Sequence, residues 1–192
     1  MHRIEPFFAW RDDYSAENDE QSPFFEREYS EFEYSNKIYN YYIHPQWDEF
    51  GSPTLYVKLL FVDYDKAFAI LELFGEWNDA VQNDIMFLKR EVIDPLTEAG
   101  IAKWVLIGEN VLNFHAGDDD YYAEWLEEAS ENGGWICGFN FLQHVREEMA
   151  QFRLYDYIAF DEPFAEVNWR RHRPVHIIDL TEKMLRLQAR IT

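Results

Sequence analysis

Cysteine is almost missing from this chain. Cys137 is the only one in 192 residues, so no intrachain disulfide can form. It stands in the apolar stretch "WICGF", which predicts a buried, inert thiol. Long apolar runs are missing too. "LLFV" is typical of what there is, far short of a membrane span. The start, "MHRIEPFFAW", has neither the basic opening nor the apolar core of a signal peptide, so the expected location is the cytoplasm. Positive charge is scarce: 17 Lys and Arg stand against 37 Asp and Glu, a formal net charge of −20. Such a body repels phosphate, which argues against nucleic acid or an anionic membrane as a partner. The six Lys among so many carboxylates would equally suit a salty cytoplasm. No G-x-S-x-G, P-loop or G-x-G-x-x-G is present, so neither a nucleophile triad nor a nucleotide cofactor is expected.

Apolar residues are plentiful at 47%, with aromatics at 18%, enough to build a core despite the charge. Residues 1–36 hold ten acidic side chains against three Arg, with rings at Phe7, Phe8, Trp10, Phe24, Phe25, Tyr29, Phe32 and Tyr34. A disordered tail has fewer rings. These residues are therefore expected to form an extension that lays its aromatics on a single domain spanning 37–192. "EYSEFEY" and "KIYNYYI", separated by Ser35-Asn36, read as two edge strands.

"TLYVKLLFV" and "AFAILELFGEW" form the clearest hairpin, turning at Asp63-Tyr64-Asp65-Lys66. Their near-continuous apolar character predicts cover on both faces. Asn78 or Asp79 caps a helix with Val81, Ile85, Leu88 and Val92 inward, which Pro95 should kink or end before Gly100. Then "AKWVLIG" (strand), "DDDYYAEWLEEASENGG" (helix), "WICGF" (strand), "FLQHVREEMAQF" (helix) and "YDYIAF" (strand) alternate. "PVHIIDL" reads as a short strand or extended lead into the helix "TEKMLRLQARI". The fold class expected is α/β: a mixed, largely parallel sheet with an antiparallel N-terminal hairpin and helices packed on it.

This order resembles the STAS fold of anti-sigma-factor antagonists over residues 54–162. The segments that carry the resemblance are "AFAILELFGEWND", "KWVLIGENVLNF" and the following "YYAEWLEE". Regulatory members of that group carry a phosphorylatable Ser or Thr beside a Gly just after the central strand. Here "NFHAGDDDYY" offers Gly117 but no hydroxyl before the helix. The resemblance implies a non-enzymatic protein-interaction or ligand-sensing domain.

Four groups of residues invite chemistry. His115 with Asp118, Asp119 and Asp120 is the metal candidate, suited to Mg²⁺, Mn²⁺ or Zn²⁺. Consecutive Asp residues point in different directions on a helix, and Asp at a helix start caps free N–H groups, so capping competes. Glu72 interrupts "AILELF" and is either a proton-tuned buried acid or a carboxylate reaching solvent or an Arg. His44 and Trp47, in the loop "IHPQWDEFGSP", either line a pocket or anchor the loop. Last comes "NWRRHRPVHIIDL", where Arg170, Arg171 and Arg173 flank His172, with His176 close by. On the final helix Leu180, Met184, Leu187 and Ile191 share one face and Lys183, Arg186 and Arg190 another. This basic segment either clamps the acidic body, binds an acidic partner or anionic ligand, or joins a homodimer. The function expected is a non-enzymatic interaction or regulatory module. The alternatives are a metal-dependent hydrolase using His115 and Asp118–Asp120, and a small-ligand or lipid carrier with an aromatic pocket.

Overall fold

The computed structural model describes residues 4–30 and 32–189. A small hairpin comes first, β1 (Lys37–Ile38) against β2 (Tyr41–Tyr42), turning through Tyr39 at φ 55°. Both strands thus fall inside "KIYNYYI". The described residues of "EYSEFEY" form no strand, because its side chains are taken up singly, Tyr29 by Asp48 and Tyr34 against His44.

The main sheet runs in the order β3 (Leu55–Asp63), β4 (Phe68–Asn78), β5 (Lys103–His115), β6 (Trp135–Phe139). The first pair is antiparallel and the other two are parallel. This is the mixed, largely parallel sheet that the hydrophobic pattern predicts.

Helices cover one face. α1 (Asp79–Gln82) and α2 (Asp84–Leu88) are separated by Asn83 at φ 56°; Asn78 caps α1 by accepting the Val81 N–H at 3.0 Å. A π turn (Lys89–Ile93) follows and leads into α3 (Asp94–Glu98). The sequence predicts that Pro95 kinks or ends this helix. The widened turn comes instead just before the residue without an N–H, and helix continues to Glu98. Gly100 at φ +98° then closes it. Val81 corrects the core pattern: with the break at Asn83, the inward phase of Ile85, Leu88 and Val92 does not extend back, leaving Val81 76% exposed. α4 (Asp120–Glu131) and α5 (Gln143–Gln151) complete this layer, around Leu71, Leu73, Trp104, Trp125 and Val145.

The other face is closed by the two ends of the chain. α6 (Pro174–Gln188) lays Ile177, Ile178 and Met184 over Phe68, Ile70, Val105, Ile107 and Cys137. "PVHIIDL" is therefore helix from its first residue, since Pro174 fits the first helical position, where its missing N–H is not needed. "YDYIAF" is a 3₁₀ turn plus one bridge from Ala159 to Cys137, not a strand of the sheet. Arg190 and Ile191 lie outside the described residues. Trp10, from the N-terminal segment, joins the same cluster, packed edge-on against Phe7 and Trp169 with centroids 5.1 and 5.3 Å away.

Candidate functional site

Strand alternation puts Phe68, Ile70, Glu72 and Phe74 of β4 on this second face. Ile70 belongs to the α6 cluster, and Phe74 to a smaller one with Ile38, Ile43, Trp47 and Tyr56. Glu72 lies between the two and is 1% exposed. Its carboxylate accepts the Phe7 N–H at 2.7 Å and the Asn110 side-chain N–H at 3.4 Å. The Arg170 guanidinium is 3.9 Å away and bonds the neighbouring Glu109 directly. Burial pushes the Glu72 carboxyl up to about 7; Glu109 adds to the rise, while the Phe7 amide, Arg170 and Asn110 oppose it. Glu72 thus sits on a central strand, held by an Arg that the sequence does not pair with it. Glu109 and Asn110 were not singled out in the sequence. Their only signal is the adjacent polar pair in β5, beside the Glu that interrupts "AILELF" in β4.

The arginine cluster divides. Arg170 lies over the Trp169 and Phe7 rings, 4.2 and 5.6 Å from their centroids. Arg173 pairs with Asp13 at 2.6 Å, and the Trp10 indole N–H donates to the His172 carbonyl at 3.2 Å. Arg171 and the side chains of His172 and His176 are exposed and have no hydrogen-bonding or ionic partner among the described residues. Lys183 is in the same condition on α6, whereas Arg186 pairs with Glu182 at 3.3 Å.

His44 and Trp47 hold the chain's beginning. The Trp47 indole N–H donates to Ile4 O at 2.9 Å, its ring stacks on Phe74, and His44 lies 3.4 Å from Glu5. Beside them Asp48, 1% exposed, meets Arg27 at 3.1 Å, Lys58 at 3.2 Å and the Tyr29 hydroxyl at 2.6 Å. A cleft of about 40 Å³ between this segment and β3, lined by Phe7, Trp10, Tyr14, Lys58, Leu59 and Leu60, is far smaller than the roughly 300–1,000 Å³ of small-molecule sites.

His115, Asp118 and Asp120 are exposed near the C-terminal end of β5, and the structure does not bring their ligand atoms together. Asp119, at the N-cap position of α4, accepts the Tyr157 hydroxyl at 2.5 Å and makes no side-chain cap. Among the described residues the carboxylates that do converge are Asp94, Glu124 and Glu128. The Lys89 ammonium, fully buried, occupies their centre, bonding Asp94 and Glu128 and lying 3.4 Å from Glu124. Arg90 forks onto Glu124 at 2.7 and 2.9 Å. The cationic place is filled by the protein itself. A further buried acid, Asp79, accepts Tyr122 O–H at 2.5 Å, Ile85 N–H at 2.7 Å and Trp77 indole N–H at 3.0 Å. Burial lifts its carboxyl to about 6, and those three donors work against the rise.

No protein-family model matches the chain, and no curated protein matches it. Solved structures do. A crystal structure described as a candidate anti-sigma factor antagonist, TM1081 of Thermotoga maritima, is 17% identical, covering 54% of this chain and 81% of its own, at a TM-score of 0.40. An NMR structure of TM1081, also 17% identical, covers 65% of this chain and 86% of its own at 0.38.

Proposed function

We propose that this chain is a non-enzymatic protein-interaction module that receives an acidic segment of a partner protein on two exposed cations, Arg171 ahead of α6 and Lys183 on it, which bracket the exposed Asp179. One observation carries the reading. In a chain of net charge −20, Arg171 and Lys183 are exposed and unpaired among the described residues, although carboxylates outnumber cations two to one. Guanidinium and ammonium groups left free in such surroundings are available for charge-assisted bonds to carboxylates. Leu187, 46% exposed one turn beyond Lys183 on the same helix, supplies an apolar contact beside it. The acidic body repels an acidic partner at long range, but beyond about 8 Å physiological salt screens this.

The test titrates a labelled polyglutamate peptide into the wild type and into Arg171→Glu/Lys183→Glu. Wild-type binding weakened more than tenfold in the variant, at unchanged melting temperature, is the expected result. Equal binding by both proteins, or none by the wild type at millimolar peptide, overturns the reading. Self-association seen by sedimentation and abolished by the same substitutions would overturn it in favour of a second copy as the occupant.

A further inference from the structure

Residues 4–14 cross the second face of the sheet with no regular secondary structure beyond turns. Their polar attachments are Ile4 O to Trp47, Glu5 to His44, Phe7 N–H to Glu72, the Trp10 indole to His172 O, Asp13 to Arg173 and the Tyr14 hydroxyl to Asp19. Their apolar hold is the ring group of Phe7, Trp10 and Trp169, with Tyr14 edge-on to Phe61 and Ile4 on the cluster of Trp47 and Phe74 at the two ends. Under the segment the cleft of about 40 Å³ interrupts the packing, where a close-packed interior leaves few voids larger than a water molecule. The buried group at the centre of this arrangement is an acid. From geometry alone, a carboxylate capped by the segment's own N–H couples its charge to the segment's position.

We infer that residues 4–14 form a proton-controlled strap, closed over the sheet when Glu72 is protonated and loosened when Glu72 ionises. Every element around Glu72 contributes to this. From β5, Glu109 repels the ionised form and Asn110 donates to it. From the segment before α6, Arg170 attracts it but is shared with Glu109. On β3, Lys58 stands directly opposite Glu72 in register, yet its ammonium is turned to Asp48 at 3.2 Å. On the strap, the Phe7 N–H is the donor at 2.7 Å. The buried charge thus has one shared cation. Lifting the strap admits water to it.

The sign follows from linkage. In the closed state the carboxyl is held at about 7; with the strap lifted and the carboxyl fully hydrated it would return to its ordinary 4.5. The closed state therefore binds the proton more tightly and is favoured at low pH, and the advantage is lost as pH rises from the lower value through the upper one. Between pH 5.5 and 8.5 the opening equilibrium increases roughly 30-fold by this linkage. Opening would also free Arg173, whose partner Asp13 lies on the strap, but the strap does not depend on the basic surface having a partner.

Amide hydrogen exchange, expressed as protection relative to the unfolded chain, tests it over that pH range. Protection at residues 7–14 should fall by roughly 30-fold while Leu71 and Leu106 in the sheet stay protected, and in Glu72→Gln the fall should vanish. Arg170→Gln gives a second reading, because the ionised form loses its cation. The Glu72 carboxyl titration, followed by carbon NMR, should then move to higher pH, and the loss of strap protection should move with it. Protection independent of pH, the same fall in Glu72→Gln, or simultaneous loss at Leu71 and Leu106 overturns the inference.

Discussion

Lys89 shows what a single side chain does in this molecule. Burial draws an ammonium toward neutrality, but the bonds it donates to Asp94 and Glu128 more than offset this and leave its pKa raised. Three carboxylates within 4.8 Å of one another would otherwise repel across the seam between the π turn and α4. Lys89→Met keeps the stem and removes the charge. Breaking a buried pair from one side costs about 3–5 kcal/mol. The lower end applies, because Asp94, Glu124 and Glu128 are 25%, 37% and 35% exposed and can hydrate. The melting temperature at pH 7 should fall by roughly 6–12 °C, taking ~2–4 °C per kcal/mol for this size. Asp94 carries its own burial penalty, outweighed by Arg90 and Lys89, and Glu124 is pulled down chiefly by Arg90. Carboxyls held low stabilise above their ordinary values and lose that contribution as pH falls. The gap between variant and wild type should therefore close only as pH falls below about 4. A gap that is constant with pH would mean that Lys89 acts by packing alone.

At the scale of elements, the same logic pins the segment before β1. Asp48 is buried and engages Arg27, Tyr29 and Lys58, whose ammonium is itself lowered by burial and supported chiefly by Asp48. Asp48→Asn keeps an acceptor for Tyr29 but withdraws the charge from both cations. Residues 24–33 should then be cut several-fold faster by trypsin at Arg27, while exchange in β3 and β4 is unchanged. Equal cutting would show that Phe24, buried in the main core, holds the segment without help. How far such elements were legible depends on what defines them. The hairpin β3–β4 and the alternation from β5 to α5 follow from hydrophobic period and turn residues, so they could be read from the sequence. The start of α6 could not: "PVHIIDL" has the branched residues of a strand, and only packing on Cys137 and Ile70 makes it helix. "YDYIAF" failed for the opposite reason, since β6 offers it a single bridge. In the candidate site, Glu72 could be flagged as an interruption in an apolar run. Its partners Phe7, Glu109 and Arg170 come from three distant parts of the chain, and no local pattern links them.

For the whole molecule, the arginines join one end of the chain to the other. Residues 4–14 and 168–173 meet on the face opposite the helical layer, so an acidic beginning is tied to a basic ending. The tie is uneven, and that makes it testable. Arg170 is 45% exposed and rests on two rings and two carboxylates; Arg173, at 68%, has one exposed pair; Arg171 has no partner among the described residues. Exposed pairs are worth ~0.2–1 kcal/mol, and a cation over an aromatic face adds about 0.5–1 kcal/mol. Arg170→Ala/Arg173→Ala should therefore cost about 2 kcal/mol, a melting temperature lower by roughly 4–8 °C, while Arg171→Ala stays within about 1–2 °C of wild type. Added salt acts on both sides of the comparison. A body of net charge −20 repels itself, so the wild type should melt higher as salt rises, and the variant, more negative still, should gain more. The difference should narrow accordingly, leaving what the rings contribute. If Arg171→Ala destabilised as much as the double substitution, the cluster would act as one clamp and would offer no free cation to a partner. A silent Arg171 beside a costly Arg170 and Arg173 would place clamp and docking surface next to each other on one short segment.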